Sequence, residues 1–158
     1  MSEEIAQLSE TSLKATANFI AAVRRHELPD FEDSADEQPD WEQPYSSGLG
    51  NFWITLVDDK VVGTIGLLDL GSGKACLQRM YVHSDYRGTG TAPGLLNTLI
   101  TWADSHQIQE IYLGTFSRQR AAQRFYEKHG FCRIPDDSIP GNLPRSHIED
   151  CFYRRLLA

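Results

Sequence analysis

No lysine or arginine occurs between Arg25 and Lys60, although that stretch carries ten carboxylates: Glu27, Asp30, Glu32, Asp33, Asp36, Glu37, Asp40, Glu42, Asp58 and Asp59. The whole chain has a net charge of -7 and its first 25 residues balance, so the residues from Lys60 onward are left net positive. No basic stripe is available to neutralise a row of phosphates, and nucleic acid is therefore not an expected partner. The division suits an anionic ligand in the later half and a cationic one near the earlier half. No apolar run approaches the ~20 residues that a membrane-spanning helix requires, so no membrane partner is expected either. The start, Met1-Ser2-Glu3-Glu4, lacks the basic region and apolar stretch of a secretory leader, and the expected location is cytoplasmic.

Paired cysteines are also lacking. Cys76, Cys132 and Cys151 contain no CxxC pair, and each sits in an apolar, strand-like stretch. Buried free thiols are expected rather than a disulfide or metal framework. The five histidines show no ligand spacing, so no metal is expected. Repeats and low-complexity tails are absent. A chain of 158 residues, 41% hydrophobic and 23% charged, fits one globular domain over residues 1–158.

Apolar positions at Leu8, Leu13, Ala17, Ile20 and Val23 recur at helical spacing, which predicts an amphipathic helix over residues 8–27, with Pro29 just beyond. Residues 28–50 hold three prolines and two glycines and read as a long loop or a broken helix. Residues 52–57 and 61–70 alternate as an antiparallel hairpin around Asp58-Asp59-Lys60, and residues 75–82 form a third strand after Gly71-Ser72-Gly73-Lys74. The period then changes. Leu95, Leu96, Leu99, Ile100 and Ala103 predict a helix, residues 111–115 a short buried strand, and Ala122, Phe125, Tyr126 and His129 a second helix closed by Gly130. Residues 131–134 and 148–156 are further strands around a proline-rich loop. The strand, loop, helix, strand order over residues 75–115 is a βαβ unit with a parallel pair. The fold class is α+β: a single-domain mixed sheet, mostly antiparallel, with helices on its faces.

The sharpest local feature is Val82-His83-Ser84-Asp85-Tyr86-Arg87-Gly88-Thr89-Gly90-Thr91-Ala92-Pro93, which joins a strand end to a helix start. Unpaired amides at a helix start carry partial positive charge and suit a phosphate or pyrophosphate. Gly88 and Gly90 allow close backbone approach, Thr91 is the expected N-cap, and Pro93 lies in the first turn, where its missing N–H does little harm. A P-loop would need Gly-Lys followed by Ser or Thr, and the dinucleotide fingerprint would need glycine where Pro93 stands. Neither is present.

Three stretches together resemble the GNAT superfamily of N-acyltransferases. They are Leu77-Gln78-Arg79-Met80-Tyr81-Val82, then Arg87-x-x-Gly90-x-Ala92, then Ala122-x-x-Phe125-Tyr126-Glu127-Lys128-His129-Gly130-Phe131. The resemblance covers about residues 50–135. It implies an acetyl-CoA-dependent N-acetyltransferase whose parallel strand pair splays apart, with acetyl-CoA as co-substrate. By the same resemblance the amides of Arg87, Gly88, Thr89, Gly90, Thr91 and Ala92 would hold the pyrophosphate. The strand at Met80, Tyr81 and Val82 would take the pantetheine arm like a missing strand. An amide at Met80 or Tyr81 would face the thioester oxygen. Gln119 stands where the family usually has asparagine and could contact the same arm; Ala122 and Phe125 complete the cofactor-binding set. Tyr126 matches the tyrosine that protonates the departing thiolate, and the alternative is that it simply packs beside Phe125. The family's strand glutamate has no counterpart in Cys76-Leu77-Gln78-Arg79. Asp69, Glu110, the acidic segment and a water chain remain open as proton acceptors, while His83 reads as a turn residue.

The acceptor is expected to be the amine of a small molecule or peptide. Trp41 and Tyr45, with Phe31 and the carboxylates around them, would surround an ammonium group, or else the segment is a solvated loop. Arg145, at the end of the proline-bearing stretch Ile139-Pro140-Gly141-Asn142-Leu143-Pro144-Arg145, would grip a carboxylate or be a surface charge. A homodimer through the last strands is a further expectation from the resemblance. The competing reading is a non-catalytic acyl-CoA-binding or sensor module, against which the retained Tyr126 argues.

Overall fold

A computed structural model describes residues 3–27, 40–146 and 149–157. The sequence expectations for residues 28–39, Phe31 included, and for a strand beginning at Ile148 lie outside the described residues. The chain starts with a strand, not a helix. β1 (Glu4–Gln7) pairs antiparallel with β2 (Asn51–Val57), and helix α1 (Leu13–Glu27) begins five residues later than its apolar period suggests. The reason is local. Leu8 still donates its amide to the Phe52 carbonyl at 2.8 Å, and the chain turns at Ser9–Ser12, where the Ser12 carbonyl accepts the first helical bond from Thr16 at 2.9 Å.

β3 (Lys60–Gly71) returns from β2 through Asp58 and Asp59, both left-handed at φ 51° and 64°, the twist that a two-residue hairpin needs. β4 (Lys74–Val82), α2 (Thr91–Ser105), β5 (Glu110–Thr115), α3 (Arg120–Lys128), β6 (Cys132–Ile134) and β7 (Cys151–Leu156) follow. Among the described residues they complete one seven-stranded sheet in the order β1-β2-β3-β4-β5-β7-β6, in which β4 and β5 run parallel and the other neighbours antiparallel. The mixed sheet and the βαβ unit are as expected.

Alternation along the strands decides which residues meet which helix. Trp53, Ile65, Leu67, Ala75, Leu77, Ile111 and Leu113 face α2 and α3, where they bury Leu95, Leu96, Leu99 and Tyr126. Their strand neighbours Phe52 and Ile54 face α1 and enclose Ile20, Trp41 and Tyr45. Further along that second face, Cys76, Tyr112 and Phe152 are covered by Ile134 and Leu143. Cys76 and Cys151 are buried free thiols, but Cys132 is exposed, contrary to expectation, because β6 is a three-residue edge strand with little to cover its outer positions.

The feature that positions the site is the interruption between β4 and β5. Their parallel ladder holds only Lys74↔Glu110, Ala75↔Ile111 and Cys76↔Tyr112, and then stops, although both strands continue. β4 carries an extra residue at this level. Its pairing with β3 shifts between Thr64 and Gly66, and Arg79 adopts φ 53° with its carbonyl held by the Thr64 hydroxyl at 2.7 Å. A bulge of this kind bends the strand and increases its twist. β4 therefore stays with β3 up to Val82 and parts from β5 after Cys76.

Leu99 is fully buried where α2 meets the sheet. Leu99→Ala is expected to destabilise the fold by about 2–5 kcal/mol, read as a lower urea midpoint with unchanged slope.

Candidate active site

The corner after β4 is built by short-range bonds. Ser84–Tyr86 form one 3-10 turn, entered by His83, whose Nδ1 accepts the Asp85 amide at 3.1 Å; His83 is the turn residue that the sequence suggested. Gly88 and Gly90 follow at φ 75° and 94°, and a Cβ added at either would meet no protein atom within 4 Å. The left-handed backbone alone demands glycine here. Gly90, not Thr91, is the N-cap of α2: it redirects the chain, and its carbonyl accepts the first helical bond from Gly94 at 3.0 Å. Thr91 is the first helical residue, its buried hydroxyl bonded to the Glu3 carboxylate and 3.1 Å from the Thr89 hydroxyl. Thr91 and Ala92 thus carry first-turn amides with no intrahelical partner, and Pro93 falls where no partner is lost. The Arg87 side chain braces the corner: its guanidinium pairs with Glu27 at the end of α1, and Nε donates to the Val82 carbonyl at 3.3 Å.

Below the corner lies the gap between β4 and β5. Met80 and Tyr81 are half-buried and Val82 buried along its β4 side. Met80 packs toward α2 and α3, while Tyr81 faces α1 and its hydroxyl accepts Arg24 Nε at 2.8 Å. At the wide end on the β5 side, the Thr115 hydroxyl donates to Gln119 Oε1 at 2.7 Å, which fixes the side chain of Gln119 next to the end of β5. Ala122 and Phe125 pack, half-buried, beside Tyr126.

Tyr126 is 8% exposed, and the turn that ends α3 sets its position. Gly130, at φ 92°, donates to the Glu127 carbonyl at 3.3 Å, and Phe131 donates to the Tyr126 carbonyl at 3.0 Å. These are the two bonds of a Schellman cap, whose usual apolar contact is made here by Phe131 against Tyr126 with ring centroids 5.7 Å apart. The F-Y-E-K-H-G-F string is thus a device for locking one tyrosine ring. Burial holds the Tyr126 phenol well above the ordinary tyrosine pKa, with smaller contributions from Tyr81 and Cys76. Those two neighbours belong to the opposite face of the sheet. Tyr126 packs in the same cluster as Leu77 and Met80 of β4 and Leu113 of β5, and burial keeps its phenol a neutral donor.

The three acceptor-side residues suggested by the sequence are occupied otherwise. Trp41 and Tyr45 are core residues at 8% and 3% exposure, packed edge-on against Phe52. The cation over their faces is the protein's own Arg79, 5.4 Å from the Trp41 ring and 6.0 Å from the Tyr45 ring, with Nε donating to the Tyr45 hydroxyl at 2.9 Å. The bulge aims Arg79 inward, and the two aromatic rings are what it meets. Arg145 lies over the Phe152 ring at 4.5 Å and pairs with Asp136 at 3.5 Å. Among the suggested bases, Asp69 accepts the Leu49 and Gly71 amides at 2.9 and 2.8 Å, and Glu110 accepts the Tyr112 hydroxyl at 2.7 Å. Both carboxylates hold local structure. One carboxylate that sequence reasoning does not single out does reach the gap. Glu149 Oε2 lies 2.9 Å from the point where a Cβ on Gly114 would stand. The signal was a glycine inside a buried strand, which often marks a close approach.

A family model described as the acetyltransferase (GNAT) family matches residues 20–131. Among curated proteins, the N-acetylaspartate synthetase of Xenopus tropicalis is 31% identical over 147 residues, 90% of this chain and 51% of that protein. The protein of the same name from Danio rerio is 31% identical over 123 residues, 75% of this chain and 43% of that protein. The chain spans about half the length of the curated relatives it matches. Among solved structures, a GNAT-family acetyltransferase of Staphylococcus aureus Mu50 superposes with a TM-score of 0.91 at 29% identity, covering 99% of this chain and 100% of that one. The PaiA N-acetyltransferase of Thermoplasma acidophilum, solved in complex with coenzyme A, superposes with a TM-score of 0.75 at 18% identity and covers 99% of this chain and 100% of that one.

A phenol whose pKa is raised by folding contributes stability that is complete below the ordinary tyrosine value and is lost as pH rises through the folded one. Tyr126→Phe should therefore flatten the fall in stability between ~pH 9 and ~pH 11, measured by urea unfolding alongside the parent chain.

Proposed function

The chain belongs to the GNAT family of acetyltransferases, and on that premise we propose that it transfers the acetyl group of acetyl-CoA to the primary amine of a small molecule or peptide. The observation that carries this reading is the combination of three things along β4 and its neighbours: a parallel ladder that stops at Cys76 and Tyr112, a glycine corner leading into α2, and a buried tyrosine in the core cluster that β4 and β5 share.

The residues present fit coenzyme A. Gly88 and Gly90 leave their outer side open, and the first-turn amides of α2 suit a pyrophosphate. β4 beyond Cys76 has no ladder partner on its β5 side, so its backbone can pair with a peptide-like arm, and Gln119 stands at the facing edge. The structural likeness to a protein solved with coenzyme A supports the same placement. An amide at Met80 or Tyr81 is assigned to the thioester oxygen.

When bound, acetyl-CoA supplies an acyl group activated by a sulfur leaving group. The nitrogen lone pair of the amine forms the new N–C bond as the C–S bond breaks, and Tyr126 gives its proton to the sulfur. The burial that keeps the phenol protonated also disfavours a bare thiolate in the same place, so donor and acceptor are raised together. Trp41 and Tyr45 serve this site indirectly, by seating Arg79 and hence the bulge.

Release of free thiol from acetyl-CoA, measured across a panel of amines that includes aspartate, polyamines and peptide N-termini, tests the proposal. Activity with at least one amine is expected, and its absence across the panel together with no calorimetric binding of coenzyme A would overturn it. Tyr126→Phe should lower kcat by ~10²-fold or more with little change in KM for acetyl-CoA. Gly90→Val, which forces a branched residue into φ 94°, should instead raise KM for acetyl-CoA by about tenfold.

A further inference from the structure

An ammonium ion cannot attack a thioester, so the reaction needs a group that takes its proton; β4 carries no carboxylate, and Asp69 and Glu110 are engaged in holding local structure. Glu149 lies in the segment entering β7, on the sheet face that carries Cys76, Tyr112 and Phe152. Its two oxygens have different surroundings. Oε1 accepts the Ser146 amide at 2.7 Å, which orients the carboxylate. Oε2 and the carboxyl carbon lie 2.9 and 3.0 Å from the Cβ position of Gly114, so the carboxylate occupies the space that any side chain at 114 would fill.

Gly114 belongs to the part of β5 that has lost β4. The last ladder pair is Cys76↔Tyr112, and the same register carried two residues further would set Gln78 opposite Gly114. Glu149 therefore stands over the β5 wall of the gap, just past the point of parting. Tyr126 belongs to the cluster on the opposite face, the one covered by α2 and α3, together with Leu77 of β4 and Leu113 of β5. Cys76, at the apex, feels both groups: burial first and then the Glu149 carboxylate hold its thiol far above the ordinary range, and the same thiol contributes to raising the Tyr126 phenol.

We propose that Glu149 is the proton acceptor for the attacking amine, working from one face of the parted sheet while Tyr126 serves the leaving sulfur from the other. The proposal rests on the acetyl-transfer reading above. An ammonium group gives up two protons in becoming an amide N–H. Glu149 takes the first, which exposes the nitrogen lone pair, and returns it to solvent. The second leaves the nitrogen after the N–C bond has formed and, by way of solvent, replaces the proton that Tyr126 gave to sulfur as the C–S bond broke. Among the described residues, charged and titratable groups near Glu149 include the Cys76 thiol of β4 and, across the Phe152 ring, the Arg145 guanidinium. The neighbouring Asp150 is engaged elsewhere, with Oδ1 accepting the Ser117 amide at 2.8 Å.

Glu149→Gln keeps the shape and the Ser146 contact but cannot take a proton. It is expected to lower kcat by ~10²-fold or more. The acidic limb of the kcat/KM profile for the amine should disappear, while calorimetric binding of coenzyme A stays unchanged. In Glu149→Ala, added formate should restore part of the lost rate. Gly114→Ala, which displaces the carboxylate without removing it, should lower kcat in the same direction. Glu149→Gln activity within about twofold of the parent, or an unaltered acidic limb, would overturn the assignment. Loss of coenzyme A binding in Glu149→Gln would overturn it too, by giving the residue a structural role. Parent protein that binds coenzyme A and transfers acetyl groups while Glu149→Gln does so equally well refutes this inference alone, whereas a parent protein that does neither refutes the acetyl-transfer reading itself.

Discussion

The parting of β4 from β5 is the constraint on which the rest of the molecule depends. Two parallel strands that begin a regular ladder normally continue it, because every unmade ladder bond leaves a donor and an acceptor to be satisfied. Here one extra residue in β4, clamped at Arg79 by the Thr64 hydroxyl, turns the strand away after three pairs. The unpaired length of β4 then runs straight into the glycine corner and α2. Ladder edge, helix start and the end of α3 are brought to one place by a single backbone irregularity.

Much of the remaining structure keeps that irregularity in position. The bulge puts Gln78 and Arg79 on the same face, and Tyr45 bonds to both, at 2.8 Å to Gln78 Oε1 and 2.9 Å from Arg79 Nε. Trp41 and Phe52 pack around Tyr45, and Gly66 opposite has no room for a Cβ against the Phe52 and Tyr45 rings. α1 holds the same strand from Arg24 to Tyr81 and holds the corner from Glu27 to Arg87. Aromatic and charged residues that look like a receptor for a cation are, in three dimensions, the clamp for a strained arginine.

The two faces of the sheet take different parts in the proposed chemistry. A phenol fixed by a helix cap lies on one side, and a carboxylate fixed by a turn lies on the other. In that proposal the gap between β4 and β5 gives both groups access to one reacting centre. Cys76, deeply buried at the apex, is too far raised to act as a nucleophile and serves as packing at the seam.

Sequence alone was enough for the local parts. Periodicity marks the strands and both later helices, and glycine spacing marks the corner, because the left-handed φ of 75°, 94° and 92° at Gly88, Gly90 and Gly130 is one that glycine adopts without steric cost. The same holds for the string that locks Tyr126, whose partners lie within five residues of it. What the sequence could not disclose depends on contacts across long chain separations. β1 exists because Glu4–Gln7 finds the edge of β2, and its short, mostly polar pattern is not a strand signal by itself. Trp41 and Tyr45 are interior because Arg79 is folded onto them from 34 or more residues away. Glu149 meets Gly114 across 35 residues, and nothing near it in the chain distinguishes it from a surface acid. Residue type and spacing determine the bonds a chain makes with its near neighbours; only closure of the sheet decides which distant side chains share the gap.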